Sequence, residues 1–255
     1  MSGLALGSTG TDASAVPTSL ANPAFTAGKA IGGAFRTSGR NALAFGLVAA
    51  VFFWPAVLVE MAAQGGPEPS RIGTMLWNVL GCLTTAALTR GTLDSLDGRA
   101  PRLSALFGAG LGRGLPVLGA SMLVGLITLL GLALAIVPGL IAAAGLYVAA
   151  AAVVAEPGKP VSACLQRSWS LTRGHRWGVL GVLLLFFAFP IAVSFAQAVL
   201  VEVFGDLGAR AVLALGGILL AAALGLQAVA AAAVYHGLRA EKEGLAAPRL
   251  GAVFE

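Results

Sequence analysis

The fold class this sequence predicts is an all-α membrane protein: six transmembrane helices paired as three hairpins, each preceded by a cytoplasmic interfacial amphipathic helix. Three observations predict it. Of 255 residues, 58% are hydrophobic and 11% are charged, and that charged share is less than half of the usual quarter for soluble domains. Six apolar runs are each long enough to cross a hydrocarbon core of about 30 Å. The basic residues sort to one side of those runs.

The elements follow in order. Residues 1–23 are rich in Ser, Thr, Ala, Gly and Pro, with neither a positive n-region nor an apolar core. That composition predicts a disordered cytoplasmic tail and not a signal peptide. The membrane domain is expected over 24–244, with spans at about 41–63, 72–89, 115–137, 139–155, 177–204 and 211–238. A second cytoplasmic tail follows at 245–255. The last two spans exceed the minimum length and must tilt, kink or emerge from the bilayer. Pro55 and Pro190 are expected to kink the first and fifth.

The connections alternate in length. The short ones are 64–71, the pair Pro138-Gly139, and 205–210. Pro-Gly is turn chemistry, with Pro fixing φ and Gly taking φ > 0. The long ones are 90–114 and 156–176. Of the 16 Lys and Arg, only Arg71 and Arg210 fall on the short-loop side. By the positive-inside rule the other side, which holds both tails, is cytoplasmic. The membrane expected is the cell inner (plasma) membrane.

Three segments on that basic side read as amphipathic helices bedded at headgroup level. In the first, Phe25, Ile31, Ala34 and Phe35 face away from Lys29, Arg36 and Arg40. In the second, Pro101 leads a stripe of Leu103, Leu106, Phe107 and Leu111. In the third, Pro160 suits a first helical position, and Val161, Cys164, Leu165, Trp169 and Thr172 recur at helical spacing. Arg167, Trp169, Arg173 and Trp177 are the candidate interfacial or docking residues. Arg167 is the one expected to make a fixed contact, with Glu156. The second and third segments also match each other: a basic residue, Pro, Ser-Ala, then Arg-Gly and Val-Leu-Gly. This suggests three copies of one unit.

The stretch Val137-Pro138-Gly139, Val154-Ala155-Glu156, Cys164-Leu165-Gln166-Arg167-Ser168-Trp169-Ser170-Leu171-Thr172-Arg173-Gly174 and Trp177 resembles the glycerophosphoryl diester phosphodiesterase membrane-domain family and related multi-span bacterial proteins. Tyr235 to Glu243-Gly244 resembles that family's closing pattern. Cys164 stands where the family usually has Ala. The resemblance implies a membrane module. The catalytic barrel that accompanies it in some members needs about 250 residues by itself, so none is expected here.

The candidate chemistry is sparse. Glu60 and Glu202 lie near external span ends, and Asp94 and Asp97 flank a polar turn where solvation is expected. His175, His236 and Cys164 lack metal-ligand spacing. No Ser-x-Gly elbow, Walker loop or Rossmann fingerprint occurs. No basic patch is interleaved with stacking aromatics, so nucleic acid is not an expected partner. Asn78, Gln197 and Gln227 sit inside spans, where interhelical hydrogen bonds are the common use. Gly217, Ala221 and Gly225 form a small-xxx-small stripe for helix packing. The expected function is a non-enzymatic scaffold or accessory without cofactor or metal. Its expected partners are anionic headgroups at the cytoplasmic face and a protein partner or second copy. The alternative is a small transporter or lipid-handling protein.

Overall fold

A computed structural model describes residues 25–62 and 71–243. Both expected tails and most of the first short connection lie outside them. Eight helices are assigned: α1 (Ala27–Arg40), α2 (Ala42–Ala62), α3 (Arg71–Leu96), α4 (Leu103–Leu134), α5 (Ile136–Leu146), α6 (Ala149–Ala155), α7 (Val161–Thr172) and α8 (Arg176–Glu243). Among the described residues, six segments are long and apolar enough to cross a membrane: Ala42–Val59, Arg71–Leu96, Leu103–Leu134, Ile136–Ala155, Arg176–Phe204 and Ala214–Glu243. The described residues are thus all-helical, with the segments of a multi-pass membrane protein.

The last two segments belong to one assigned helix. A straight helix of 68 residues would be about 100 Å long. Yet His175 Nε2, just before its start, lies 3.4 Å from Glu241 Oε1 near its end. The chain therefore doubles back within α8, and a side chain added at Gly216 would run into Gln197. Helix α8 passes Pro190, and α2 passes Pro55, without interruption.

Helix α3 packs against α1, α2, α4, α6 and α8. It is also among the less apolar segments, and its second half goes inside: Ala86, Ala87 and Leu88 are buried with Thr84, Thr89 and Thr92. Buried hydroxyls in a membrane must bond to something. Thr84 donates to the Leu80 carbonyl at 2.9 Å and Thr92 to that of Leu88 at 2.7 Å.

Close approach of α4 to α3 is made by glycine. A Cβ on Gly114 would lie 2.6 Å from Leu83 Cδ1, and one on Gly110 would lie 2.7 Å from Phe52 of α2. Gly91 of α3 is equally tight, 2.6 Å from Leu106 and 2.7 Å from Phe45. Small residues let membrane helices pack where lipid supplies no hydrophobic drive. In the expected stripe, Gly225 meets Leu88 at 3.1 Å, while Gly217 meets nothing within 4 Å.

Two boundaries differ from the sequence reading. The turn expected at Pro138-Gly139 falls at Ala135, whose backbone is extended (φ −170°, ψ 159°). Pro138 sits inside the first turn of α5, where its missing N–H costs nothing. Gly139 is not a positive-φ glycine. It is needed for space, since a Cβ there would lie 2.7 Å from the Leu132 backbone nitrogen. The second expected interfacial segment is continuous with the third span in α4, 32 residues long. That is about 48 Å, more than an upright crossing of the hydrocarbon needs.

Candidate functional site

The fourth candidate span is broken. Helix α5 ends at Leu146 and α6 begins at Ala149. Gly145 stands in the last turn of α5, whose carbonyls have no partner within their own helix, and an unmet carbonyl in lipid costs several kcal/mol. Helix α7 meets it. Ser168 Oγ donates to Gly145 O at 2.9 Å and Thr172 Oγ1 donates to the same oxygen at 3.1 Å. Both hydroxyl residues are fully buried. They are four residues apart and so share a helix face. The Trp169 ring fills the space beside the Gly145 Cα, where a Cβ would collide with it.

The buried face of α7 is Cys164, Leu165, Ser168, Leu171 and Thr172. It touches α4, α5, α6 and α8. Trp169, placed by sequence on the apolar stripe, stands 40% exposed at the edge. Its ring lies 4.1 Å from the Arg176 guanidinium carbon, a cation–π distance. Trp177 is 83% exposed. The side chain of Arg173 is exposed, and its carbonyl, with that of Ser170, accepts from Lys242 Nζ at 2.8 and 2.7 Å. Lys242 thus supplies the positive charge that the last turn of α7 lacks.

Around this joint runs a chain of charges. Glu156 follows α6 and is 12% exposed. Arg167 Nε donates to its Oε1 at 2.5 Å, and Tyr235 OH donates to the same oxygen at 2.9 Å. Lys159 Nζ lies 2.7 Å from Oε2. Arg167 Nη2 also bridges to Glu243, whose other oxygen takes Arg239 Nε at 3.1 Å. Tyr235, Arg239 and Glu243 are spaced four apart on α8, so one helix face presents all three. Burial alone would raise the Glu156 carboxyl; hydrogen bonds from Lys159, Arg167 and Tyr235 and the Arg167 charge outweigh it and hold the carboxyl below its ordinary value. Burial likewise opposes the Arg167 charge, and its two carboxylate partners more than restore it.

Next to this chain lies a cavity of about 190 Å³ between α3, the end of α6 and α8. Asp94 is buried, 8% exposed, which corrects the expectation that it is solvated. It needs cations to be buried. Arg90 Nε lies 3.2 Å from Oδ2 and Arg99 Nη2 lies 3.7 Å from Oδ1. Asp97 takes Arg99 Nη2 at 2.7 Å and His236 Nε2 at 3.3 Å.

The remaining candidates are not brought together. The His175 ring lies tilted against Phe25, with ring centroids 5.5 Å apart, and His236 is with Asp97. Among the described residues no three His, Cys, Asp or Glu side chains form a metal-ligand group. Asn78 is exposed and donates to its own helix at Thr74 O, 2.8 Å away. Glu202 is exposed. The side chain of Glu60 lies outside the described residues. Sequence reasoning missed Asp94, Ser168, Thr172, Tyr235 and Lys242. The spacing of four in Ser168/Thr172 and in Tyr235/Arg239/Glu243 was the visible signal.

The architecture defines the class of a multi-pass helical membrane protein. No family model, curated protein or solved structure matches the chain.

Proposed function

We propose that this chain is a non-enzymatic inner-membrane module, a scaffold or accessory that organises lipid or a protein partner. In this reading it has three hairpins, each led by a short helix at the cytoplasmic interface, and both termini are cytoplasmic. The Glu156–Arg167–Glu243 chain is the observation that carries it. Those charges bond to one another and tie α6, α7 and α8 together, so their chemistry goes into holding the fold. The buried residues support the same reading, being in the main Ala, Val, Leu and Phe, with Thr, Ser and Asp94 among them. The Phe25 N–H donates to Glu241 Oε2 at 3.0 Å, so the two ends of the described chain meet, as an even number of crossings requires.

The membrane-facing part of the reading rests on Trp169, Arg173, Arg176 and Trp177 at one edge. Aromatic rings and basic residues favour headgroup level, and each basic residue near an anionic surface contributes about 1 kcal/mol. The test is purification in native lipid with mass spectrometry of what co-purifies, beside flux assays in proteoliposomes. A reproducible anionic lipid or protein companion without flux is the expected result. Selective solute flux abolished by Asn78→Ala or Gln227→Ala would replace this reading with the transporter.

A further inference from the structure

We propose that the cavity between α3, α6 and α8 is a binding site for a phosphate-bearing anion, either an anionic lipid headgroup or a small soluble phosphate. The proposal names a ligand class within the lipid-organising reading, and it rests on that reading only for the side of the membrane on which the cavity lies.

Charge carries the first step. Arg90, Arg99 and Arg239 line the cavity with Asp94, Asp97 and His236. Three guanidiniums against two carboxylates leave a net positive charge before His236 is counted. Arg239 is further shared with Glu243, which lies outside the lining.

Geometry carries the second. Arg90 and Arg239 meet their carboxylates through Nε, one of the five donors a guanidinium has. Buried Asp94 accepts from Arg90 Nε at 3.2 Å, and Asp97 accepts from Arg99 Nη2 at 2.7 Å. Carboxylates that orient arginines fix their planes before a ligand arrives, which lowers the entropy cost of binding. Oriented guanidinium forks match the oxygens of a phosphate group, and they do so better than a single ammonium.

Size carries the third. Pockets for drug-sized ligands run from about 300 to 1,000 Å³. A cavity of about 190 Å³ is below that range but much larger than one water needs. It suits one phosphate group with a small polar substituent. Ala155 and Leu93 are the apolar part of the wall, which leaves the arginines as the recognition elements.

The experiment uses the full chain in nanodiscs. One arm has phosphatidylcholine alone, titrated with inorganic phosphate. The other has phosphatidylglycerol added stepwise, with bound lipid counted by native mass spectrometry. Saturable binding is expected in one arm: phosphate binding in the first assigns a soluble ligand, and binding only in the second assigns a headgroup. Arg90→Gln and Arg99→Gln should each weaken that binding about tenfold, as expected for one lost charge-assisted hydrogen bond. Arg71→Gln, which removes an equal charge from an exposed site at the opposite end of α3 from the cavity, should not. If Arg90→Gln does not fold, Arg90→Lys keeps the charge, loses the fork and should still weaken binding. The proposal is overturned if neither arm saturates, or if the cavity variants behave like Arg71→Gln. A flux activity would overturn the scaffold reading and leave this result standing.

Discussion

The Ser168 hydroxyl donates to the carbonyl of Gly145 across 2.9 Å and 23 residues of sequence. It repairs a break in a candidate membrane span with a side chain from a different helix. Thr172 shares that carbonyl, so Ser168→Ala alone should cost only about 1 kcal/mol. Ser168→Ala with Thr172→Val leaves the oxygen unmet and should cost about 2–4 kcal/mol. Unfolding in mixed detergent micelles, with both single variants alongside, measures the difference. Additive small losses would mean that water already serves the carbonyl.

Gly145 itself is held to hydrogen by the Trp169 ring. Gly145→Ala should destabilise by about 1–3 kcal/mol through overpacking. Trp169→Leu should recover part of that loss, since it removes the ring the new methyl meets. A thermal melt of the two singles and the double supplies the cycle. No recovery in the double would separate the two residues energetically.

The Glu156 carboxyl is held below its ordinary value in the folded chain. Its contribution to stability is therefore complete above the unfolded value, about 4.3. It is lost as pH falls below that value and through the native one. Glu156→Gln should lower stability at pH 7 and flatten the loss that the wild type shows on acidification. Melting temperature against pH for both proteins is the measurement. Parallel curves would assign the acid sensitivity to other carboxylates.

Close packing of α4 on α3 predicts an order of tolerance among glycines. Gly114→Leu should disrupt assembly or expose the chain to protease, because Leu83 already occupies the space. Gly225→Leu should be intermediate, with one contact at 3.1 Å. Gly217→Leu should be tolerated. Limited proteolysis of the three variants ranks them, and sensitivity at Gly217 would point to a second copy packing there.

Topology can be checked with a reporter active only outside the cytoplasm. Fusions after Gly66 or Gly208 should be active. Fusions after Gly98, Gly158 or Gly251 should be silent. Activity at Gly158 would invalidate the orientation drawn from the basic residues.

Much of the architecture was legible in the sequence because it depends on local quantities. Long apolar runs mark the six candidate spans, and a scarcity of charge rules out a soluble core. Helical spacing from Val161 to Thr172 marks α7. What faces what was not legible. Asp94 reads as a turn carboxylate until Arg90 and Arg99 close on it. Gly139 reads as a turn glycine until Leu132 is seen against it. The pairings of Gly145 with Ser168, and of Glu156 with Tyr235 across 79 residues, join positions whose neighbourhood is set by helices packing. Apolar periodicity is a property of one helix and can be read from its own residues. Which polar groups are left inside to satisfy one another depends on where several helices meet, and only the tertiary structure decides that.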